Sequence, residues 1–139
     1  LAHAVGGELY EIKPAQKYST ADLDWNDKRS RSTIEMKDKK ARPAIDGSAA
    51  NIQKADVVML GFPIWWYEAP RIIQTFLESY DFSGKTVVPF CTSGGSGLGN
   101  TVDILKESCC AETNWKPGRR FSPYVDKAEL KAWTESLGL

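Results

Sequence analysis

The chain has 139 residues, of which 42% are hydrophobic and 26% are charged, with 18 Lys plus Arg against 18 Asp plus Glu. This length and composition are typical of one globular domain with a substantial core, and they exclude a disordered or fibrous protein. The balanced charge argues against a nucleic-acid or anionic-membrane partner, and no stretch approaches the roughly 20 apolar residues of a transmembrane helix.

The predicted elements alternate between strands and helices along the chain. Residues 8–12 look like a strand that is entered through two glycines and closed by Pro14. The apolar run at 55–62 is typical of a strand covered on both faces. Residues 84–97 repeat this pattern as a short strand that leads into a glycine-rich loop.

The helices lie between and after these strands. Pro70 suits a first helical turn, and the residues after it form one apolar stripe. A second helix follows the glycine loop, and a weaker strand is predicted near 113–116. Asp126 and Glu129 resemble a capping box that begins a C-terminal helix, which Gly138 ends. This order predicts a single α/β domain over 1–139, with a parallel sheet and helices on both faces.

The stretch between Lys13 and Ala55 fits this scheme least well. More than forty residues without a strand signal is long for a connection inside a compact domain. We expect mainly solvated surface there, with Trp25 and Ile34 as packing anchors. Helical turns are predicted near 21–25 and 32–37.

The cysteines and the single histidine indicate neither a disulfide framework nor a metal site. Cys91, Cys109 and Cys110 are odd in number and lack zinc-site spacing, and His3 cannot complete a metal cluster or a triad alone. We therefore predict no metal and no catalytic residue. We also expect a reducing, cytoplasmic compartment and a protein without a membrane partner.

Two unusual loops follow successive predicted strands. Residues 61–70 carry three adjacent aromatic side chains, and strand or helix geometry cannot turn all three towards one core. Residues 91–99 are rich in glycine, whose backbone a ligand can approach closely. Since ligands of open α/β sheets bind at the carboxyl ends of the strands, the loops predict a site for a planar aromatic ligand with a polar edge. Each loop alone would also be compatible with a structural role.

The sequence from Gly61 to Gly99, "GFPIWWYEAPRIIQTFLESYDFSGKTVVPFCTSGGSGLG", resembles the flavodoxin-like proteins that bind FMN, and the resemblance extends over nearly the whole chain. It implies a doubly wound parallel sheet of order 2-1-3-4-5 with FMN at its switch point, for which flavodoxin is the standard example. It also implies which residues bind the cofactor. The isoalloxazine and ribityl chain would be lined by Pro63, Ile64, Trp65, Trp66 and Tyr67, and the pyrimidine edge would be addressed by Thr92, Ser93, Gly94, Gly95, Ser96 and Gly97.

One part of the family pattern is not in the given sequence. The resemblance implies a first strand and a Ser/Thr/Gly-rich loop for the FMN phosphate, whereas "LAHAVGGELYEIKP" looks like the end of the first helix followed by the second strand. The domain is therefore expected to be N-terminally incomplete. Either an ordered strand is supplied from elsewhere, or the native protein carries about 20 to 30 further N-terminal residues that supply this strand and loop.

The resemblance implies FMN-dependent electron transfer by a flavodoxin-like redox protein or a small flavin reductase, in which the cofactor carries the chemistry. Aromatic stacking and an apolar wall would disfavour the negatively charged reduced flavin and lower its potential. Two alternatives stay open: an NAD(P)H-dependent quinone or nitro-compound reductase, and a cofactor-free binding module. The partner would be a redox protein, or NAD(P)H with a small-molecule acceptor, and the sequence leaves the oligomeric state open.

Overall fold

The computed structural model describes residues 1–49 and 51–139. Its helices are α1 (Ala2–Val5), α2 (Arg31–Lys37), α3 (Arg71–Ser79), α4 (Thr101–Lys106) and α5 (Lys127–Ser136), with a 3-10 turn at Ile52–Lys54. Its strands are β1 (Lys13–Pro14), β2 (Ile45–Asp46), β3 (Val57–Pro63), β4 (Thr86–Thr92), β5 (Asn114–Trp115) and β6 (Arg119–Phe121). In the part of the chain so described, no helix combines the length and apolarity needed to cross a bilayer.

The main sheet is parallel, as predicted. β3 pairs with β4 along their whole length, and β5 and β6 both pair with the other edge of β4. β5 and β6 behave as one interrupted strand, because Pro89 in β4 lacks a backbone N–H and lies opposite the break. The weaker strand predicted near 113–116 is confirmed and continues to Phe121.

Apolar layers cover both faces of this sheet, as the continuous apolar strands predict. Val87 and Cys91 of β4 belong to a cluster that includes the apolar stripe of α3 and Leu105 of α4. Val88 belongs to a second cluster with Phe121 and Trp133, the latter on α5. The order of these strands and the two helical layers confirm the doubly wound α/β class.

The local signals for helix ends are also confirmed. Gly6 adopts a left-handed conformation after α1, at φ 65°. Asp126 caps α5 by accepting a hydrogen bond from the Glu129 amide at 2.8 Å. Pro70 directly precedes α3, and the turn predicted at 32–37 is α2, capped by Ser30.

The strand predicted at 8–12 is wrong. These residues have no regular secondary structure, and the chain instead forms a two-residue antiparallel pair between β1 and β2. Tyr10 stacks on Phe76 with ring centroids 5.9 Å apart, and Ile12 packs against the core. A strand requires a neighbouring ladder, and within residues 1–49 and 51–139 none runs beside residues 8–12. β3 likewise has a ladder partner on its β4 side alone within these residues, so the expected first strand stays a prediction.

Candidate functional site

The two unusual loops leave the sheet at the same point. Pro63, the last residue of β3, is the register partner of Thr92, the last residue of β4. The chain continues the pairing for one more residue, since the Ile64 amide donates to the Thr92 carbonyl at 3.1 Å. The sequence-based expectation that the aromatic loop and the glycine loop lie side by side is confirmed.

The aromatic loop is a tight turn with a strained backbone. Trp65 and Glu68 exchange two backbone hydrogen bonds, of 2.7 and 3.0 Å. The two residues between them, Trp66 and Tyr67, have φ angles of 47° and 67°. Positive φ at both central positions is the geometry of a type I′ turn, which normally carries Asn-Gly. Left-handed backbone costs about 1 to 2 kcal/mol for each residue with a side chain, so the surroundings must hold this turn.

This turn directs aromatic rings outwards. Trp66 is 41% exposed and Tyr67 is 76% exposed, whereas Trp65 is half-buried. The Trp65 ring meets the Tyr18 ring edge-on, with centroids 5.6 Å apart. The prediction that at least one of the three rings points away from the core is confirmed, and two of them do so.

Tyr18 belongs to a cluster that supports Trp65 from the side. The Arg31 guanidinium lies over the Tyr18 ring, 3.7 Å from its centroid, and pairs with Glu35 at 2.8 Å. The Tyr18 hydroxyl donates to the Glu35 carboxylate. Burial, followed by this hydrogen bond, raises the pKa of Tyr18 and keeps the hydroxyl protonated. Part of the polar stretch between Lys13 and Ala55 therefore packs against the aromatic loop.

Arg71 connects the same stretch to the turn. Its side chain is only 2% exposed, and its Nη2 donates to the Met36 carbonyl at 2.7 Å, near the C-terminal end of α2. Nη2 also pairs with the Glu68 carboxylate at 3.3 Å. At the other side of the turn, Thr101 Oγ1 donates to the Tyr67 carbonyl at 3.1 Å. These contacts hold the strained backbone.

The glycine loop exposes its backbone. A Cβ atom built at Gly94, Gly95 or Gly97 would meet nothing within 4 Å. The Gly95 amide makes a long hydrogen bond of 3.3 Å to Ser93 Oγ. Within residues 1–49 and 51–139, the amides of Gly94, Ser96 and Gly97 donate to no acceptor. Free amides beside exposed aromatic rings can bind the polar rim of a flat ligand.

A second arginine fixes the start of the glycine loop. Arg120 in β6 donates from Nε to Ser93 Oγ at 2.8 Å and from Nη2 to the Ser93 carbonyl at 3.0 Å. Ser93 Oγ in turn donates to the Ser96 carbonyl.

The remaining predicted site residues differ in exposure. Pro63 and Thr92 are exposed. The Ile64 side chain packs against the core, so mainly the backbone of Ile64 faces the edge where the two loops lie. Sequence reasoning did not identify Tyr18, Arg31, Arg71 or Arg120. The one available signal was an arginine between Pro70 and an apolar stripe, where a charged side chain is unexpected.

Two concavities lie among other residues. One, of about 660 Å³, is lined by Thr20, Ala21, Leu23, Asp24 and Trp25. The other, of about 440 Å³, is lined by Lys106, Cys109, Cys110, Ala111, Thr113 and Trp115. Neither of these two concavities is lined by residues of the aromatic or the glycine loop.

The parallel sheet with two helical layers and two ligand-accessible loops at one edge defines a doubly wound α/β protein of the kind that binds ligands at its strand ends. The family model for flavodoxin matches residues 1–137, and the chain therefore belongs to the flavodoxin family. No curated protein matches it.

Several crystal structures of flavoproteins resemble the chain. A "putative flavoprotein" from Bacteroides eggerthii is 52% identical with a TM-score of 0.92, covering 99% of this chain and 86% of its own. A second "putative flavoprotein", from Bacteroides uniformis, is 48% identical with a TM-score of 0.90, and the match covers 96% of this chain and 85% of that protein. A flavoprotein in complex with FMN from Lactobacillus acidophilus is 24% identical with a TM-score of 0.61, covering 92% and 80%, and that likeness concerns the fold alone.

Proposed function

We propose that this protein binds FMN across the edge formed by its aromatic and glycine loops and uses it for electron transfer. The observation that carries the proposal is the strained turn at Trp66 and Tyr67. The backbone is left-handed at two bulky residues although Trp66 is 41% exposed and Tyr67 is 76% exposed, so burial in the core does not account for the strain. Strain of this kind is retained where a ligand uses the geometry.

The residues at this edge fit an isoalloxazine. The exposed rings offer flat apolar faces, and the amides of Gly94, Ser96 and Gly97 offer donors for the pyrimidine carbonyl groups. The space above the glycines is open, so a flat ring can approach the backbone closely. When bound, FMN would accept and release the electrons, and the chain would orient it and set its potential.

Membership of the flavodoxin family supports the same proposal, as does the FMN complex of the Lactobacillus acidophilus flavoprotein. Trp65 is proposed to stack on the flavin, with its ring orientation fixed by the edge-on contact with Tyr18. The peptide at Trp66 is proposed to lie near flavin N5.

A second candidate function is an NAD(P)H-dependent reductase of quinones or nitro compounds. The charge balance of 18 basic and 18 acidic residues favours it, because a carrier that docks on a basic redox partner gains from an acidic surface. In this candidate, FMN held at the two loops would supply the redox chemistry between NAD(P)H, as hydride donor, and the acceptor. Rapid flavin reduction by NADPH alone would favour the reductase over the carrier.

The first test is a titration of the full-length protein with FMN, followed by flavin fluorescence. Trp65→Ala should weaken binding by about 1 to 4 kcal/mol, the range for one aromatic contact together with its buried area. Trp25→Ala is the matched control. The prediction that Trp25 is a packing anchor is wrong, because its side chain is 69% exposed, and it lies outside both loops. Unchanged FMN affinity in Trp65→Ala, together with a collapse of thermal stability, would show that Trp65 is a core residue. Absence of FMN binding by the unsubstituted protein would refute the proposed function.

A further inference from the structure

Arg120 is attached to the glycine loop by the two nitrogens on one side of its guanidinium. Nε and Nη2 both bind Ser93, at 2.8 and 3.0 Å. Ser93 Oγ also contacts the Gly95 amide and the Ser96 carbonyl, so one guanidinium orders the first half of the loop. Because β6 pairs with β4, with Arg120 opposite Cys91, the arginine is placed there by the sheet and not by a flexible loop.

Arg120 differs from the other arginines in the partners of its guanidinium. Each of the other five forms an ion pair with a carboxylate, and these are Arg29, Arg31, Arg42, Arg71 and Arg119. Within residues 1–49 and 51–139 Arg120 forms none. Its neighbour Arg119 pairs with Glu129 at 2.5 Å and lies over the Phe121 ring. An unpaired positive charge is therefore held at the loop that carries the free amides.

A purely structural role does not require this charge. A neutral amide side chain can also donate hydrogen bonds to the hydroxyl and the carbonyl of a serine. What the cation adds is attraction for negative charge at the loop. Its side chain is exposed, so water weakens this attraction without removing it.

We propose that Arg120 sets the reduction potential of the flavin by presenting positive charge to its pyrimidine end. This inference rests on the proposed function, in which residues 92–97 address that end of the ring. If FMN bound there took up two electrons and one proton, the ring would carry a negative charge spread over N1 and the C2 carbonyl oxygen. Arg120 stabilises that charge and opposes the lowering of the potential that aromatic stacking produces.

The test compares three variants of the full-length protein with the unsubstituted form. Arg120→Gln removes the charge and retains a hydrogen-bond donor. Arg120→Lys retains the charge but cannot make the two-nitrogen contact of the guanidinium with Ser93. Arg119→Gln removes an equal charge from the adjacent position, whose side chain points to the other face of the strand. For each, the dissociation constant of oxidised FMN and the two-electron potential are measured, the latter by dithionite titration against a reference dye.

Arg120→Gln should weaken binding of reduced FMN relative to oxidised FMN by about tenfold, which corresponds to a fall of about 30 mV in the two-electron potential. Arg120→Lys should keep most of the potential, and Arg119→Gln should leave it unchanged. If Arg120→Gln weakened the binding of oxidised and reduced FMN equally, Arg120 would only order the glycine loop, and the proposal would be overturned. An equal shift in Arg119→Gln would overturn it as well, because net charge would then be the cause. A protein that binds FMN with an unaltered potential in Arg120→Gln refutes only the role of Arg120, whereas failure of the unsubstituted protein to bind FMN refutes the proposed function itself.

Discussion

Replacing Arg71 by Met should destabilise the fold more than any substitution on the protein surface. The guanidinium is 2% exposed and joins the Met36 carbonyl of α2 to Glu68 of the aromatic turn. Methionine fills much of the same volume, so the cost comes from lost polar contacts. The Met36 carbonyl would lose its charged donor, at about 1 to 3 kcal/mol. The Glu68 carboxylate, whose side chain is 22% exposed, would lose its counter-charge.

Together these losses predict about 3 to 5 kcal/mol, which is the range for breaking a buried ion pair. That is a large part of the roughly 5 to 15 kcal/mol by which a domain is stable. Urea denaturation followed by tryptophan fluorescence measures the difference, provided that the slope with urea is unchanged. Glu68→Gln in the same chain should restore part of the loss, because it removes the carboxylate left without a partner.

Arg42→Met is the matched control. Arg42 also joins the polar stretch to α3, through an ion pair with Glu78 at 2.9 Å. This pair is more exposed, since the Arg42 side chain is 31% exposed and the Glu78 side chain is 42% exposed. Exposed pairs contribute about 0 to 1 kcal/mol. If Arg71→Met costs no more than Arg42→Met, the buried network does not hold the turn and the reasoning is wrong.

Three further predictions concern the glycine loop and the adjacent cysteines. Gly95→Val should leave the thermal midpoint unchanged, because a Cβ atom at this position meets nothing within 4 Å. The same variant should weaken FMN binding about tenfold. Unaltered FMN affinity in a titration would contradict the assignment of this loop to the flavin. Burial, and after it the neighbouring Cys110, raise the pKa of the Cys109 thiol from 9.0 to about 11. The stability that this thiol contributes to the folded state is therefore fully present below pH 9.0 and is lost as the pH rises towards 11. Denaturation at pH 8 and at pH 11 should therefore show a larger loss in the unsubstituted protein than in Cys109→Ser. Replacing both cysteines by Ser should leave the flavin potential unchanged, and a large change would reveal a dithiol relay.

The sequence allowed prediction of the elements whose signals are local. The apolar runs at 55–62 and 84–92, the stripe of α3 and the cap of α5 each lie within a few residues of the element that they define. The position of the two loops followed from parallel topology alone, since the carboxyl ends of adjacent parallel strands must lie at one edge.

The long-range contacts could not be predicted in this way. Arg71 reaches Met36 across 35 positions of sequence, and nothing near either residue indicates the contact. The strand expected at 8–12 has the right composition, but composition does not supply a ladder partner. The left-handed turn contradicts the local preference of Trp66 and Tyr67, and a conflict of this kind becomes visible only in the backbone.

The strained turn also has a consequence for how this protein changes under selection. A library screened for heat resistance alone would favour Asn-Gly in place of Trp66-Tyr67, because those residues adopt the type I′ geometry without the cost that the aromatic residues carry. Each such step would raise the melting temperature and delete a ring from the proposed FMN site. Thermostabilisation at this turn is therefore expected to erode the site, and a consensus sequence built by stability criteria would be wrong at these two positions.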